Sequence, residues 1–177
     1  MARMPLNREK FLDLLCERWL FERNGVELYD RVVDKLDRHG HHDEARALRR
    51  FRDEEDRHRV LLESVIAEQG GDVGRETPSQ MPVRVESRAF ERIVADARGP
   101  IALLHVLLAA ELEDHAGWEL LIALAREVGQ REVADAFASA FAEETAHLEG
   151  VKRLLAEQTR RELSADAGAA EPLIPLI

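Results

Sequence analysis

Apolar residues recur along four long stretches of this chain in steps of three and four, the spacing that gathers them on one face of an α-helix. The first stripe runs Phe11, Leu15, Trp19, Glu22, Val26, Tyr29, Val33 and Leu36, with Asn7 placed to cap the helix and Gly40 to end it. A second starts near Asp43, passes through Leu48, Phe51, Glu55, His58, Leu62 and Val65, and stops at Gly70-Gly71. The third opens at Pro100 and runs Ile101, Leu104, Leu108, Glu111, His115, Trp118, Leu121, Ile122, Ala125, closing at Gly129. The fourth runs Val133, Phe137, Ala140, Phe141, Glu144, His147, Leu148, Val151, Leu154, Leu155 and fades near Glu162. Short turns join the first pair and the second pair, so each pair predicts an antiparallel hairpin. Between Gly70 and Gly99 the period breaks, and this crossover reads as loop followed by a short helix that Ser87 caps. The expected fold is all-α, an antiparallel four-helix bundle over residues 1–163 with a long crossover between helices two and three. Residues 164–177, rich in Ala, Gly and Pro with an apolar end, read as a flexible tail.

Six members of these stripes are wrong for an aliphatic core. Glu55 and His58 stand three residues apart, as do Glu144 and His147, so each pair shares one helix face at a metal-ligand spacing. The second pair lies 89 residues after the first (144 − 55 and 147 − 58), and the same step carries Glu22 onto Glu111 (111 − 22). Four glutamates pointing into one bundle lose hydration and repel one another. Two divalent cations resolve the conflict, since four carboxylates and two neutral imidazoles balance two M²⁺ ions, and an oxygen-rich set with one histidine per ion suits iron or manganese better than zinc. Glu54 and Glu143, each one residue before a candidate ligand, point about 100° away and read as exposed or supporting groups. His39, His41 and His42 read as a solvated turn.

Composition narrows the partners. A net charge of −10 argues against a nucleic-acid or membrane-surface binder, which needs a basic face. The single cysteine, Cys16, excludes an intrachain disulfide and a four-thiolate site, suits a reducing compartment, and reads as a small buried hydrophobe. No apolar run approaches a membrane span, and no signal-peptide core follows Met1, so the expected location is cytoplasmic.

With one glutamate on helices one and three and Glu-x-x-His on helices two and four, residues 8–162 resemble the ferritin-like di-iron carboxylate proteins, bacterioferritin-like and rubrerythrin-like bundles among them. The resemblance implies that Glu22, Glu55 and His58 serve one iron and Glu111, Glu144 and His147 the other, with Glu55 and Glu144 bridging. It implies supporting places for Tyr29, seven residues after Glu22, for Trp118 in the corresponding place after Glu111, and for Asp114 one turn along helix three; His115 beside it, like Asp114, is expected to face either the metals or a neighbouring subunit. Asp56 stands where bacterioferritin has its haem methionine, so no haem is expected. The thiolates of a rubredoxin module are absent, and the tail does not resemble the fifth helix of a 24-subunit store.

The function so implied is a di-iron oxidoreductase of ferroxidase or peroxide-reductase type, with iron and dioxygen or peroxide as partners and no catalytic residues beyond the metal ligands. A manganese catalase-like or substrate-hydroxylating centre is the enzymatic alternative, and a non-catalytic helical interaction module the other. A homodimer is expected. Leu173, Ile174, Leu176 and Ile177 are expected to dock on the bundle, on a second copy, or on a partner such as a protein shell.

Overall fold

The computed structural model describes residues 7–169, and these form five helices and no strand: α1 (Arg8–Arg38), α2 (His42–Glu68), α3 (Gln80–Asp96), α4 (Pro100–Glu127) and α5 (Arg131–Ala169). Asn7 caps α1, its side chain accepting the Lys10 N–H at 3.0 Å. The 89-residue repeat reaches the helix boundaries: α1 and α4 end at Arg38 and Glu127 (127 − 38), and α2 and α5 begin at His42 and Arg131 (131 − 42). Gly40 and Gly129 turn the two hairpins at φ of 83° and 84°, a left-handed conformation that a Cβ would strain.

The two hairpins pack with α1 against α4 and α2 against α5, while α3 lies outside, over α1 and α4. Apolar side chains fill the bundle in two layers. One, near the α1–α2 turn, holds Leu36, Leu48, Phe51, Leu104 and Val151. The other, towards the opposite end, holds Phe11, Leu15, Leu62, Ile66, Trp118 and Phe137. Each fully buried Leu, Ile or Phe contributes about 1.5–3 kcal/mol, so these layers stabilise the fold and offset the polar band between them. Cys16 is buried in the second layer. Among the described residues, no helix is long and apolar enough to cross a membrane.

Three expectations need correction. The crossover helix begins at Gln80, so Ser87 is not its cap; it sits inside α3 and its hydroxyl donates to the Val83 carbonyl at 2.7 Å. Pro82 falls in the first turn, where an N–H has no intrahelical partner, and so does not bar the earlier start. Asp13 anchors that start by accepting from the Ser79 N–H at 3.0 Å and the Ser79 hydroxyl at 2.7 Å. On α4 the buried face runs through Leu103, Leu107, Ala110, Glu111, Asp114, Trp118 and Leu121, leaving Ile101, Leu108 and His115 only half-buried. Finally, α5 does not fade near Glu162 but continues to Ala169; Glu44 of α2 accepts hydrogen bonds from Gln158 and Arg161. The remainder of the expected tail, residues 170–177, lies outside the described residues.

Candidate dinuclear metal centre

Between the apolar layers, the stripes of α1, α2, α4 and α5 present acids and imidazoles where a plain bundle would have leucines. Glu22, Glu55, His58, Glu111, Glu144 and His147 are all buried, none more than 3% exposed. They form two groups whose ligand atoms lie within 4.8 Å of one another: Glu22, Glu55, His58 and Glu144 in one, Glu55, Glu111, Glu144 and His147 in the other. Glu55 and Glu144 belong to both. Each comes from the Glu-x-x-His turn of its helix, so the repeat places the two shared carboxylates on facing sides of the cluster.

Both histidines are held from outside. His58 Nε2 lies 3.0 Å from Glu143 Oε2, and His147 Nε2 lies 2.8 Å from Glu54 Oε2. An ionised carboxylate only accepts, so each Nε2 carries the proton and each Nδ1 turns its lone pair inward. The inward atoms crowd the carboxylates: His58 Nδ1 is 2.5 Å from Glu144 Oε1 and 3.8 Å from Glu22 Oε2. His147 Nδ1 is 3.2 Å from Glu144 Oε2 and 3.3 Å from Glu55 Oε1. Glu54 and Glu143 thus support the opposite hairpin's imidazole, a role the sequence reading left open beside simple exposure.

Electrostatics identify what the cluster lacks. Burial first, then the nearby Asp114 charge and, for Glu22, Glu55 and Glu144, the other carboxylates of the cluster, push all four glutamates well above the usual carboxylate range. Burial likewise lowers His58 and His147, which stay neutral. Both oxygens of Glu22, Glu111 Oε2, Glu144 Oε1 and His58 Nδ1 are buried without a hydrogen-bond partner. Unpartnered buried acceptors cost about 1–3 kcal/mol each, so five atoms of one cluster left in this way fit a bound cation far better than a closed polar network. The residues present therefore suit a pair of divalent ions.

The four residues expected to support the site separate. The Tyr29 hydroxyl donates to Glu111 Oε1, and burial followed by the Glu111 charge raises its pKa, keeping it a donor. Trp118, fully buried, stands edge-on to His58 at 5.7 Å and to Phe137 at 5.2 Å. Asp114 is buried beside the cluster and accepts from Arg18 Nη1 at 2.8 Å. His115 is half-buried, its Nε2 3.3 Å from the Thr145 hydroxyl and its ring tilted at 47° against Phe141 with centroids 4.4 Å apart, so it packs at the edge of the site rather than in it.

Arg18 escaped the sequence reading. It is 2% exposed, and a Cβ on Gly117 would lie 2.0 Å from its Nη1, so that glycine is what lets the guanidinium reach Asp114. The available signal was an arginine one turn before Glu22, on the stripe side of α1, together with a glycine inside α4. With Asp114 paired to Arg18, the four glutamates are the carboxylates of the cluster left without an arginine or lysine partner among the described residues.

No family model matches the chain, and no curated protein is significantly similar to it. Among solved structures, an open-pore ferritin from the hyperthermophilic archaeon Archaeoglobus fulgidus is similar at a TM-score of 0.59 and 20% identity, over 90% of this chain and 95% of that one. At that identity the likeness speaks for architecture, and with the all-helical hairpin pair it gives this chain a ferritin-like helical-bundle fold.

Proposed function

We propose that this protein binds two iron ions and oxidises Fe²⁺ with dioxygen or peroxide. Glu22, Glu55 and His58 would hold one ion and Glu111, Glu144 and His147 the other, with Glu55 and Glu144 shared. The observation that carries this reading is the pair of overlapping ligand groups with Glu55 and Glu144 common to both, whose inward atoms lack hydrogen-bond partners. The similar fold of an archaeal ferritin supports iron as the metal. Oxygen-rich ligation with one imidazole per ion is consistent with that choice, with manganese the nearest alternative.

When bound, a pair of redox-active ions supplies the electrons that dioxygen or peroxide takes up. The chain's own residues prepare the site. Glu54 and Glu143 fix the tautomer that turns each Nδ1 inward, and Tyr29 orients Glu111 by a hydrogen bond. The two apolar layers keep bulk water away from both ends of the cluster, where it would weaken every charge interaction. In the metal-free protein the raised carboxyl groups hold protons, and metal uptake releases them.

The test is anaerobic titration with Fe²⁺, metal analysis, and then addition of dioxygen or peroxide in separate runs. The expected result is about two ions per chain and oxidation of the bound Fe²⁺, both lost in Glu144→Ala. Equal Fe²⁺ binding by wild type and Glu144→Ala would overturn the assignment.

A further inference from the structure

A small pocket opens between α1, α3 and α4, walled by Phe21, Leu28, Phe90 and Ala110, with Asn24, Ser87, the exposed Glu27 and the half-buried Glu91 at its rim and Gly25 on its inner side. Gly25 connects it to the metal centre: a Cβ there would lie 3.2 Å from Glu55 Oε2, tighter than ordinary contact. A glycine inside a helix is destabilising relative to alanine, and here the missing side chain leaves only backbone between the pocket and a shared carboxylate. The repeat shows that the opening is one-sided. The counterpart of Gly25 is Asp114 (114 − 25 = 89), which Arg18 fills, and α3, which forms the outer wall, has no counterpart in the repeat.

We propose that this pocket is the binding place and entry route for dioxygen, leading to the Glu55 side of the dinuclear centre; the proposal rests on the metal reading above. Its cavity volume is about 50 Å³. A single water fills roughly 10–15 Å³ on the same measure, whereas sites for organic ligands run to roughly 300–1,000 Å³. About three to five water-sized groups fit, and an organic substrate of ordinary size does not.

The walls decide which small molecule. Four are hydrocarbon, and the two uncharged polar side chains beside them are already satisfied: Asn24 Nδ2 donates to the Ser87 hydroxyl at 2.7 Å, that hydroxyl donates to the Val83 carbonyl at 2.7 Å, and Asn24 Oδ1 accepts from Arg23 at 3.2 Å. Of the two carboxylates that line the pocket, Glu27 is exposed and Glu91 is paired with Arg31 at 2.9 Å, so a divalent cation moving inward would leave both and shed its hydration against Phe21 and Phe90. Peroxide moving inward past Glu27 and Glu91 would give up hydrogen bonds against the apolar walls. Dioxygen, neutral and apolar, loses nothing by entering, and apolar cavities of this kind take up gas atoms such as xenon.

Xenon is the probe that needs no metal. The metal-free wild-type protein is placed under xenon pressure and examined by crystallography or ¹²⁹Xe NMR, beside two variants that fill the pocket from opposite walls, Ala110→Leu and Ser87→Leu. Xenon should lie between Phe90 and Ala110 in wild type and be lost in whichever variants fold. Those variants should bind Fe²⁺ anaerobically like wild type, while the dioxygen concentration that half-saturates Fe²⁺ oxidation rises several-fold and the peroxide reaction is unchanged. No xenon in a wild-type protein that binds iron normally, or an unchanged dioxygen dependence in both filled variants, would overturn the pocket alone. Failure of wild type to bind Fe²⁺ would remove the metal reading and the dioxygen role with it, whatever xenon does.

Discussion

His147 Nε2 lies 2.8 Å from Glu54 Oε2, so an imidazole of the second hairpin is held by a carboxylate of the first, and His58 with Glu143 repeats the arrangement in reverse. Ligand-supporting carboxylates of this kind are worth about 10–100-fold in metal affinity. Glu54→Ala should therefore weaken binding of one ion by about that factor and leave the fold intact, and Glu143→Ala should do the same to the other. Anaerobic calorimetric titration measures both, and affinities unchanged in the two variants would exclude the supporting role.

Glu55 and Glu144 are the only residues common to both ligand groups among the described residues. Removing either should cost both ions, whereas Glu22→Ala or Glu111→Ala should spare one. Metal content by mass spectrometry of dialysed protein separates the cases, and retention of one ion by Glu55→Ala would show that it is not shared.

Stability against pH follows from the buried groups. The four glutamates have folded-state pKa values raised above the unfolded value of 4.5, so the folded metal-free protein holds more protons than the unfolded chain, and stability falls as pH rises above 4.5. His58 and His147 are lowered below 6.5 and act oppositely, but only below that value. Glu113, raised to about 7 by burial and by its neighbour Glu86, adds to the fall in the lower part of the range. From pH 6.5 to 8.5 the metal-free protein should therefore lose thermal stability steadily. Divalent metal should abolish most of that slope, because ions then replace the protons. A melting temperature flat across this range without metal would contradict the burial of ionisable glutamates in one cluster.

Arg18 and Asp114 form an ion pair in which both residues are 2% exposed. Breaking such a pair from one side leaves an uncompensated charge and costs roughly 3–5 kcal/mol, so Arg18→Met should destabilise by that order. Arg18→Met with Asp114→Asn should recover much of the loss. Urea denaturation of the metal-free proteins reads both, and a double variant no better than the single one would mean that packing against Gly117, rather than charge, is what Arg18 contributes.

The helical period alone determined a great deal. It placed Glu22, Glu55, His58, Glu111, Glu144 and His147 on core-facing stripes, because in α1, α2 and α5 polar residues flank the apolar ones and fix which way each helix turns. The 89-residue repeat added the pairing of halves down to Gly40 and Gly129, since turn glycines leave a local mark. The period failed on α4, which is apolar nearly all round, with Leu112 and Leu120 about half exposed; there neighbouring helices set the rotation, turning Asp114 inward and His115 to the edge. It failed too at the start of α3, where Asp13 of another helix anchors the turn. Which helix partners which, and so the crossed support of His58 and His147, the threading of Arg18 past Gly117, and the pocket that Gly25 borders, depend on contacts between residues about 60 to 100 positions apart in sequence. Local pattern carries no record of such distances; only packing of the two hairpins and the crossover helix into one bundle decides them.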